Sequence, residues 1–297
     1  MSGQTGQGTP LSGVRLRFVF SPSSGSQPGS VALLRELAAS LFSVFYPTGC
    51  WLCGHELSEV AGPGLCRDCW QTLEPWEGPT CGRCGLPIPS SAVAGATALR
   101  CAQCQQGDYD FDLARSFGLY AGSLRQAILE LKFRRRERLG RRLGELLAEI
   151  WKGREEFSTL DSPLVVPVPL HSSRERERGF NQAQLLAEGL KRGLARSVNN
   201  GGPEVAPRCL WRTRPTAPQT GLSMAARREN VRGVFEVSLP EVVRGRVVVL
   251  IDDVMTTGAT LAACAAALKQ AGALRVLGLT LARASPEFPD FSGRLPA

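Results

Sequence analysis

The chain has 297 residues, enough for one substantial α/β core and a smaller module. Its 43% hydrophobic and 21% charged residues are typical of a globular protein, and no stretch approaches the ~20 apolar residues of a membrane span. A net charge of +8 favours anionic partners. The N-terminus does not have the pattern of a signal peptide, so we expect a cytoplasmic protein.

The two ends of the chain are predicted to be tails. Residues 1–30 are rich in Gly, Ser and Pro, which is typical of disorder, and residues 285–297 are predicted to be a C-terminal tail. Between residues 31 and 49 the apolar side chains recur at helical spacing, which predicts a short amphipathic helix.

Residues 50–108 contain four Cys-x2-Cys pairs and are poor in long periodic segments. At this spacing, thiolates in a chain of this size favour structural Zn²⁺ held by four sulfurs in a tetrahedron. We predict two zinc ions, with the pairs used in sequence order; interleaved pairing and redox chemistry at a single pair are the alternatives. The eight predicted metal ligands are Cys50, Cys53, Cys66, Cys69, Cys81, Cys84, Cys101 and Cys104.

Residues 109–160 read as a connector made of a strand and helices. ARSFGLYAG (114–122) fits a strand, and the apolar positions from Leu124 to Ile150 predict one or two amphipathic helices, broken near Gly140. An arginine stripe on these helices could follow a nucleic-acid backbone, although few aromatic residues interleave with it and the alternative is a solvated helix face. The arginine stripe comprises Arg134, Arg135, Arg136, Arg138, Arg141 and Arg142.

Residues 161–284 alternate between buried strands and helices. Apolar runs at 164–170, 247–251 and 274–283 predict strands, and 181–195 and 259–273 predict helices. Such alternation predicts a parallel sheet covered on both faces.

The segment VVVLIDDVMTTGAT (247–260) predicts an anion cradle. Asp252 and Asp253 end a buried strand, and a Thr/Gly loop then opens directly into a helix, whose N-terminal N–H groups attract phosphate. The alternative is a simple turn followed by a helix N-cap.

This segment resembles the loop of type I phosphoribosyltransferases that binds 5-phosphoribosyl 1-pyrophosphate (PRPP). The resemblance implies that Asp252 and Asp253 hold the ribose hydroxyls and that Mg²⁺ accompanies PRPP. It also implies that the 5′-phosphate is held by Thr256, Thr257, Gly258, Ala259 and Thr260.

Two further segments occupy the positions of family loops. A turn and a basic loop after the first core strand correspond to the pyrophosphate loop, with a solvated charge run as the alternative; its candidates are Pro169, Leu170, His171, Arg174, Arg176 and Arg178. Residues 219–237 correspond to a flexible closing loop, and its candidates are Arg227, Arg228 and Asn230.

The combination of two zinc ribbons with this domain, together with PVPLHSSRERERGFNQ and QTGLSMAARRENVRGVF, resembles the ComF competence family, whose members are similar to GntX. The resemblance covers residues 34 to 283 and leaves out the N-terminal tail. It implies an α/β protein with a parallel-sheet type I phosphoribosyltransferase fold and an N-terminal four-cysteine zinc-ribbon module, associated with DNA uptake in natural transformation.

Three functions fit this combination. The first is a PRPP-binding DNA-uptake factor that binds single-stranded DNA or proteins of the uptake machinery. The second is a phosphoribosyltransferase acting on a base or amine, and the third is a PRPP-sensing regulator without chemistry. The fold does not decide among these three functions. The sequence identifies no catalytic residue, acceptor or oligomeric state.

Overall fold

In the computed structural model the described residues are 49–55, 57, 64–89, 99–107, 109–134, 136–196, 202–216 and 224–285. The predicted N-terminal tail, all but the last residue of the predicted 31–49 helix, and nearly all of the C-terminal tail lie outside these residues. In the part that is described, no helix is both long and apolar enough to cross a membrane.

The described strands form two sheets. They are β1 (Leu113–Leu119), β2 (Leu164–Pro167), β3 (Glu204–Val205), β4 (Leu210–Arg212), β5 (Phe235–Val237), β6 (Val247–Met255) and β7 (Arg275–Arg283). The main sheet has the order β1-β7-β6-β2-β3, with every neighbouring pair parallel, and β4 pairs with β5 in an antiparallel ribbon.

Helices connect these strands. They are α1 (Arg67–Gln71), α2 (Ala102–Gln106), α3 (Gly122–Phe133), α4 (Glu137–Gly153), α5 (Glu155–Ser158), α6 (Ser172–Arg178), α7 (Gln182–Ala195), α8 (Met224–Asn230), α9 (Pro240–Val243) and α10 (Ala259–Gln270). The longest of them, α4, packs against α7, and where they meet a Cβ atom at Gly189 would lie 2.0 Å from the carbonyl oxygen of Arg141. Glycine at position 189 therefore permits the close approach of the two helices.

The main sheet is buried on both faces. Val249 and Ile251 of β6 join the core under α4 and α7, whereas Val248 and Leu250 join the core under α10. Since side chains alternate along a strand, only a continuous apolar run can fill both cores, and the predicted parallel α/β sheet is confirmed. The carboxyl ends of the parallel strands meet at one edge, where open α/β sheets bind ligands.

The cysteine-rich region packs directly on the sheet. The backbone N–H of Ala114 in β1 donates to the carbonyl of Arg83 at 2.7 Å, and the N–H of Trp76 donates to the carbonyl of Phe117 at 2.8 Å. Strand β1 belongs to the predicted connector, yet it pairs in parallel with β7 at the edge of the main sheet.

Two details of the predicted secondary structure were wrong. The connector is not broken near Gly140: α3 ends at Phe133 and α4 begins at Glu137. Gly140 lies inside α4, where a Cβ atom would come 2.9 Å from Cβ of Leu185. The basic loop after β2 is the helix α6. Its N-cap is His171, whose side chain accepts a hydrogen bond from the backbone N–H of Ser173, and the helix ends at Gly179 with φ 89°. Glycine suits that C-terminal position because it adopts a positive φ without strain.

Candidate functional site

Two clusters of four cysteines fit structural metal sites. The first cluster is Cys50, Cys53, Cys66 and Cys69, and the second cluster is Cys81, Cys84, Cys101 and Cys104; in each, the sulfur atoms lie within 4.8 Å of one another. Four thiolates that converge in this way match the tetrahedral four-cysteine set of structural Zn²⁺. The clusters use the pairs in sequence order, so interleaved pairing is excluded.

Backbone amides support the ligand role of these sulfurs. The N–H of Cys66 donates to Sγ of Cys50 at 3.2 Å, and the N–H of Cys101 donates to Sγ of Cys81 at 3.4 Å. Burial acts to raise the pKa of Cys50, but the backbone N–H donors of Cys66, Cys53 and Leu52 outweigh it and lower the pKa to about 6. Such donors stabilise the thiolate form that a metal requires.

The two remaining cysteines are buried, and their thiols are expected to be unreactive. Cys209 and Cys264 are fully buried in the core under α10, and burial raises the pKa of Cys209 to about 11. A thiol that stays protonated in an apolar core acts as a small hydrophobic side chain. His55 is exposed and lies outside both cysteine clusters.

A cavity of about 510 Å³ opens at the carboxyl edge of the sheet. It is bounded by the ends of β2 and β6, the start of α10, and residues of α3, α6 and α8. The sequence-predicted residues that line it are Pro169, Leu170, His171, Arg174, Arg178, Arg227, Asp252, Asp253, Thr256, Gly258, Ala259 and Thr260.

The phosphate-binding loop predicted at 256–260 connects β6 to α10. Gly258 caps α10 with φ 78°, and a Cβ atom there would lie 2.8 Å from Cε of Met255 and 3.3 Å from the ring of Tyr109. Any larger residue would therefore be strained in its backbone and would push the loop off its support. Thr257 is buried, and the hydroxyl of Tyr109 donates to its carbonyl at 2.9 Å.

The two carboxylates at the end of β6 differ in their surroundings. Asp253 is 4% exposed; its Oδ1 lies 3.0 Å from Nζ of Lys132, and its Oδ2 is buried and accepts no hydrogen bond from any described residue. Asp252 is half-buried and accepts a hydrogen bond from the backbone N–H of Asp253 at 2.8 Å. Burial, and then the neighbouring charge of Asp253, raise the pKa of Asp252 to about 7.

Lys132 and Arg212 line the cavity but were missed from the sequence. Burial acts to lower the pKa of Lys132, but the carboxylate of Asp253 raises it above its usual value, so the ammonium group is kept charged. Arg212 of β4 donates to Oγ1 of Thr216 and lies 5.5 Å from the ring centroid of Phe235. No sequence signal marks either residue, since Lys132 lies in the last turn of an ordinary amphipathic helix and β4 is a short strand.

Besides Thr257, three predicted residues, all from the two basic segments, stand outside the described lining of the cavity. Arg176 is exposed on α6, and Arg228 of α8 lies over the ring of Tyr109, with its guanidinium 5.5 Å from the ring centroid. Asn230 is half-buried at the end of α8. A helix turns successive residues to different sides, so only part of each basic segment reaches the cavity.

Part of the arginine stripe packs against the first cysteine cluster. The guanidinium of Arg136 lies 4.2 Å from the ring centroid of Trp51, and that of Arg142 lies 4.9 Å from Trp70. Arg141 pairs with Glu188 of α7 at 2.9 Å. Arg134 and Arg138 are exposed.

The pKa of Asp252 leads to a prediction about pH. Since the acidic pair is expected to bind Mg²⁺–PRPP as carboxylates, affinity should fall about tenfold between pH 8 and pH 6, as Asp252 becomes protonated. In the free protein the sign is opposite: a carboxyl with a raised folded-state pKa is ionised more readily when unfolded, so stability falls as pH rises from about 4 to about 7.

Titration calorimetry across this range, compared with thermal unfolding, measures both effects. The substitution Asp252→Asn should flatten both profiles. Because this variant keeps the pH dependence that comes from the ligand's own phosphates, comparison with it isolates the effect of Asp252. A wild-type profile that matches the Asp252→Asn profile would contradict the assignment.

Comparison with known proteins agrees with the two cysteine clusters and with the α/β domain that carries the cavity. Residues 41–106 match the model of the double zinc ribbon domain, and residues 186–288 match the model of the phosphoribosyl transferase domain. The DNA utilization protein YhgH of Escherichia coli is 34% identical over 237 residues, which cover 77% of this chain and 94% of that protein.

Two further relatives are named for competence. Competence protein F of Haemophilus influenzae is 30% identical over 243 residues, covering 81% of this chain and 99% of the relative. Competence protein ComFC of Bacillus subtilis is 29% identical over 244 residues, which cover 74% of this chain and 84% of that relative.

Fold, cysteine clusters and cavity together define a class of protein: a double zinc ribbon joined to an α/β domain of the phosphoribosyltransferase fold. Within that class, the chain belongs to the ComF/GntX competence family.

Proposed function

We propose that the chain binds PRPP with Mg²⁺ in the cavity at the carboxyl edge of the sheet, and that it acts in the handling of DNA taken up by the cell. The observation that carries the first part is the chemistry of the cavity lining, which combines a helix N-terminus, a pair of carboxylates and five cationic side chains. These cations are Lys132, Arg174, Arg178, Arg212 and Arg227.

Each part of the lining fits one part of PRPP. The N-terminus of α10 and its Thr/Gly loop suit the 5′-phosphate, and the carboxylates of Asp252 and Asp253 suit the ribose hydroxyls. The arginines of α6 and α8 suit the pyrophosphate, because planar guanidinium groups bind phosphate oxygens in pairs. A neutral sugar would offer no anionic group to these arginines.

Burial of the cations supports a highly charged ligand. Burial lowers the pKa of Arg178 and of Arg212 below the usual value for arginine. A desolvated guanidinium raises the free energy of the empty site, and a bound phosphate offsets that cost. The site is thus prepared for a polyanion rather than for a neutral metabolite.

Asp253 supports the involvement of Mg²⁺. Its buried Oδ2 accepts no hydrogen bond from the described residues, and Asp252 lies beside it. Carboxylate oxygens together with substrate phosphates are the ligands that Mg²⁺ prefers. The ion would also screen the pyrophosphate from the two carboxylates.

Calorimetry with PRPP tests this proposal, with ribose 5-phosphate and pyrophosphate as partial ligands. We expect PRPP to bind between about 1 mM and 1 µM, more tightly than either partial ligand and more tightly with Mg²⁺ present. If pyrophosphate alone bound as tightly as PRPP, the ribose part of the proposal would be wrong.

A second candidate function, transfer of the phosphoribosyl group to a nucleobase, has one observation in its favour. Phe133 is 70% exposed and lines the cavity together with Tyr120. An exposed aromatic face beside a ribose site can stack on a flat base. Release of pyrophosphate from PRPP on addition of a nucleobase would establish a transferase, and its absence with every common base would favour a binding protein.

The proposed part in DNA handling is supported by the names of the relatives and by the exposed end of the arginine stripe. Replacing Arg134 and Arg138 by alanine should weaken binding of single-stranded DNA and flatten the slope of log affinity against log salt by about 1.4, since two phosphate contacts are lost.

The matched control replaces Arg244 and Arg275, which are exposed near the amino ends of β6 and β7, with the same loss of charge. The control variant should keep the wild-type slope. Equal slopes for the two variants would show that the stripe is only a solvated helix face.

A further inference from the structure

The second cysteine cluster is joined to the phosphate-binding loop by a buried arginine. Arg283 is 2% exposed; its Nη1 donates to the carbonyl of Met255 at 2.9 Å and also to the carbonyl of Thr256. From the same guanidinium, Nη2 lies 4.0 Å from Sγ of Cys84. One planar guanidinium group therefore contacts both a sulfur of the second cysteine cluster and the backbone at the start of the loop.

Tyr109 makes a second connection. Its hydroxyl lies 2.9 Å from the carbonyl of Thr257 and 3.2 Å from Oε1 of Gln103, which sits in α2 between two cysteines of the second cluster. Its ring stacks on Phe111 at 4.6 Å and packs beneath Gly258. Arg283 and Tyr109 together contact the carbonyls of three successive residues, 255 to 257.

The contacts of these carbonyls with Arg283 and Tyr109 also orient the backbone N–H groups of the loop. In a tight loop, each peptide that points its carbonyl to one side points the next N–H to the other. Anchoring the carbonyls of Thr256 and Thr257 therefore fixes the direction of the following N–H groups, which the proposed phosphate site uses.

We propose that the second zinc ribbon positions the phosphate-binding loop through Arg283 and Tyr109, so that metal in the second cluster is required for tight binding of PRPP. This inference rests on the proposed function. Its physical basis is charge: Zn²⁺ with four thiolates has a net charge of −2, which gives the buried guanidinium of Arg283 an anionic neighbour. Four protonated thiols would leave that buried cation with carbonyl partners alone.

The first cluster provides a contrast within the same chain. Cys53 is exposed, and the tryptophans beside this cluster contact Arg136 and Arg142 near α4 rather than the loop. Loss of metal from the first cluster should therefore leave the phosphate-binding loop in place.

The experiment compares Cys104→Ser in the second cluster with Cys53→Ser in the first, both in the full chain. Zinc content is measured first, since each variant should lose about one ion. Amide hydrogen exchange of residues 255–260 is then measured without ligand, followed by calorimetry with Mg²⁺–PRPP. Cys104→Ser should increase exchange of the loop and weaken PRPP binding at least about tenfold, whereas Cys53→Ser should leave both within about twofold of wild type.

Tyr109→Phe provides a test that does not disturb the metal, because it removes one hydroxyl and keeps the stacked ring. A single hydrogen bond of this kind corresponds to a weakening of about two- to tenfold. We expect faster exchange of the loop and weaker PRPP binding within that range, with both zinc ions retained.

The outcomes separate the two proposals. Wild-type loop exchange in both Tyr109→Phe and Cys104→Ser would overturn the positioning role, and so would an equal effect of Cys53→Ser. If Cys104→Ser unfolds, the Tyr109→Phe measurement decides. If exchange responds as expected while no variant and no wild-type protein binds PRPP, the positioning of the loop stands and the proposed ligand is wrong.

Discussion

Replacing both Asp252 and Asp253 by alanine is expected to weaken PRPP binding at least about tenfold. Hydrogen bonds from ribose hydroxyls to a charged acceptor contribute about 1.5–3 kcal/mol each, and both acceptors are lost. The substitution also removes the carboxylates that support Mg²⁺. Calorimetry with Mg²⁺–PRPP measures the change directly.

A matched control replaces Glu149 and Glu241, which are both exposed, so that the change in net charge is the same. The control should keep wild-type affinity, which separates a local effect from long-range electrostatics. Thermal unfolding of the aspartate variant is needed as well, because Lys132 loses its partner at 3.0 Å. A folded aspartate variant with wild-type affinity would refute the ribose-binding role.

Removal of zinc by a chelator is expected to unfold the cysteine-rich region while the main sheet remains folded. The described helices of this region, α1 and α2, have five residues each, and such short elements have little core of their own. The binding free energy of a structural zinc site, about 10–16 kcal/mol, is therefore largely its folding free energy. In contrast, the strands β2, β6 and β7 are buried between α4, α7 and α10.

Metal analysis and hydrogen exchange check this expectation. The purified chain should contain about two zinc ions, one for each cluster of four sulfurs. After chelation, amides in residues 64–89 and 99–107 should lose protection and those of β6 should keep it. Protection of the cysteine-rich region that survives complete removal of zinc would show that its contacts with β1, and not the metal, hold it together.

The sequence alone determined the elements whose signal is local. Strands buried on both faces must be continuous apolar runs, so β2, β6 and β7 could be read directly from the residues. The loop from 256 to 260 could be read for the same reason, since a strand, an acidic pair and a helix N-terminus follow one another in the chain. Cysteine spacing likewise reports a local metal knuckle.

Only the tertiary structure decided which distant residues meet. Lys132 reaches Asp253, and Arg283 lies between Cys84 and the carbonyls of the loop. No periodicity marks these positions, because a side chain at the end of a helix or strand looks the same in the sequence whether it faces solvent or a cavity. The sheet places the end of β7 beside the end of β6, and the packing of α3 brings its last turn over the acidic pair; these contacts depend on the whole fold and not on any segment of it.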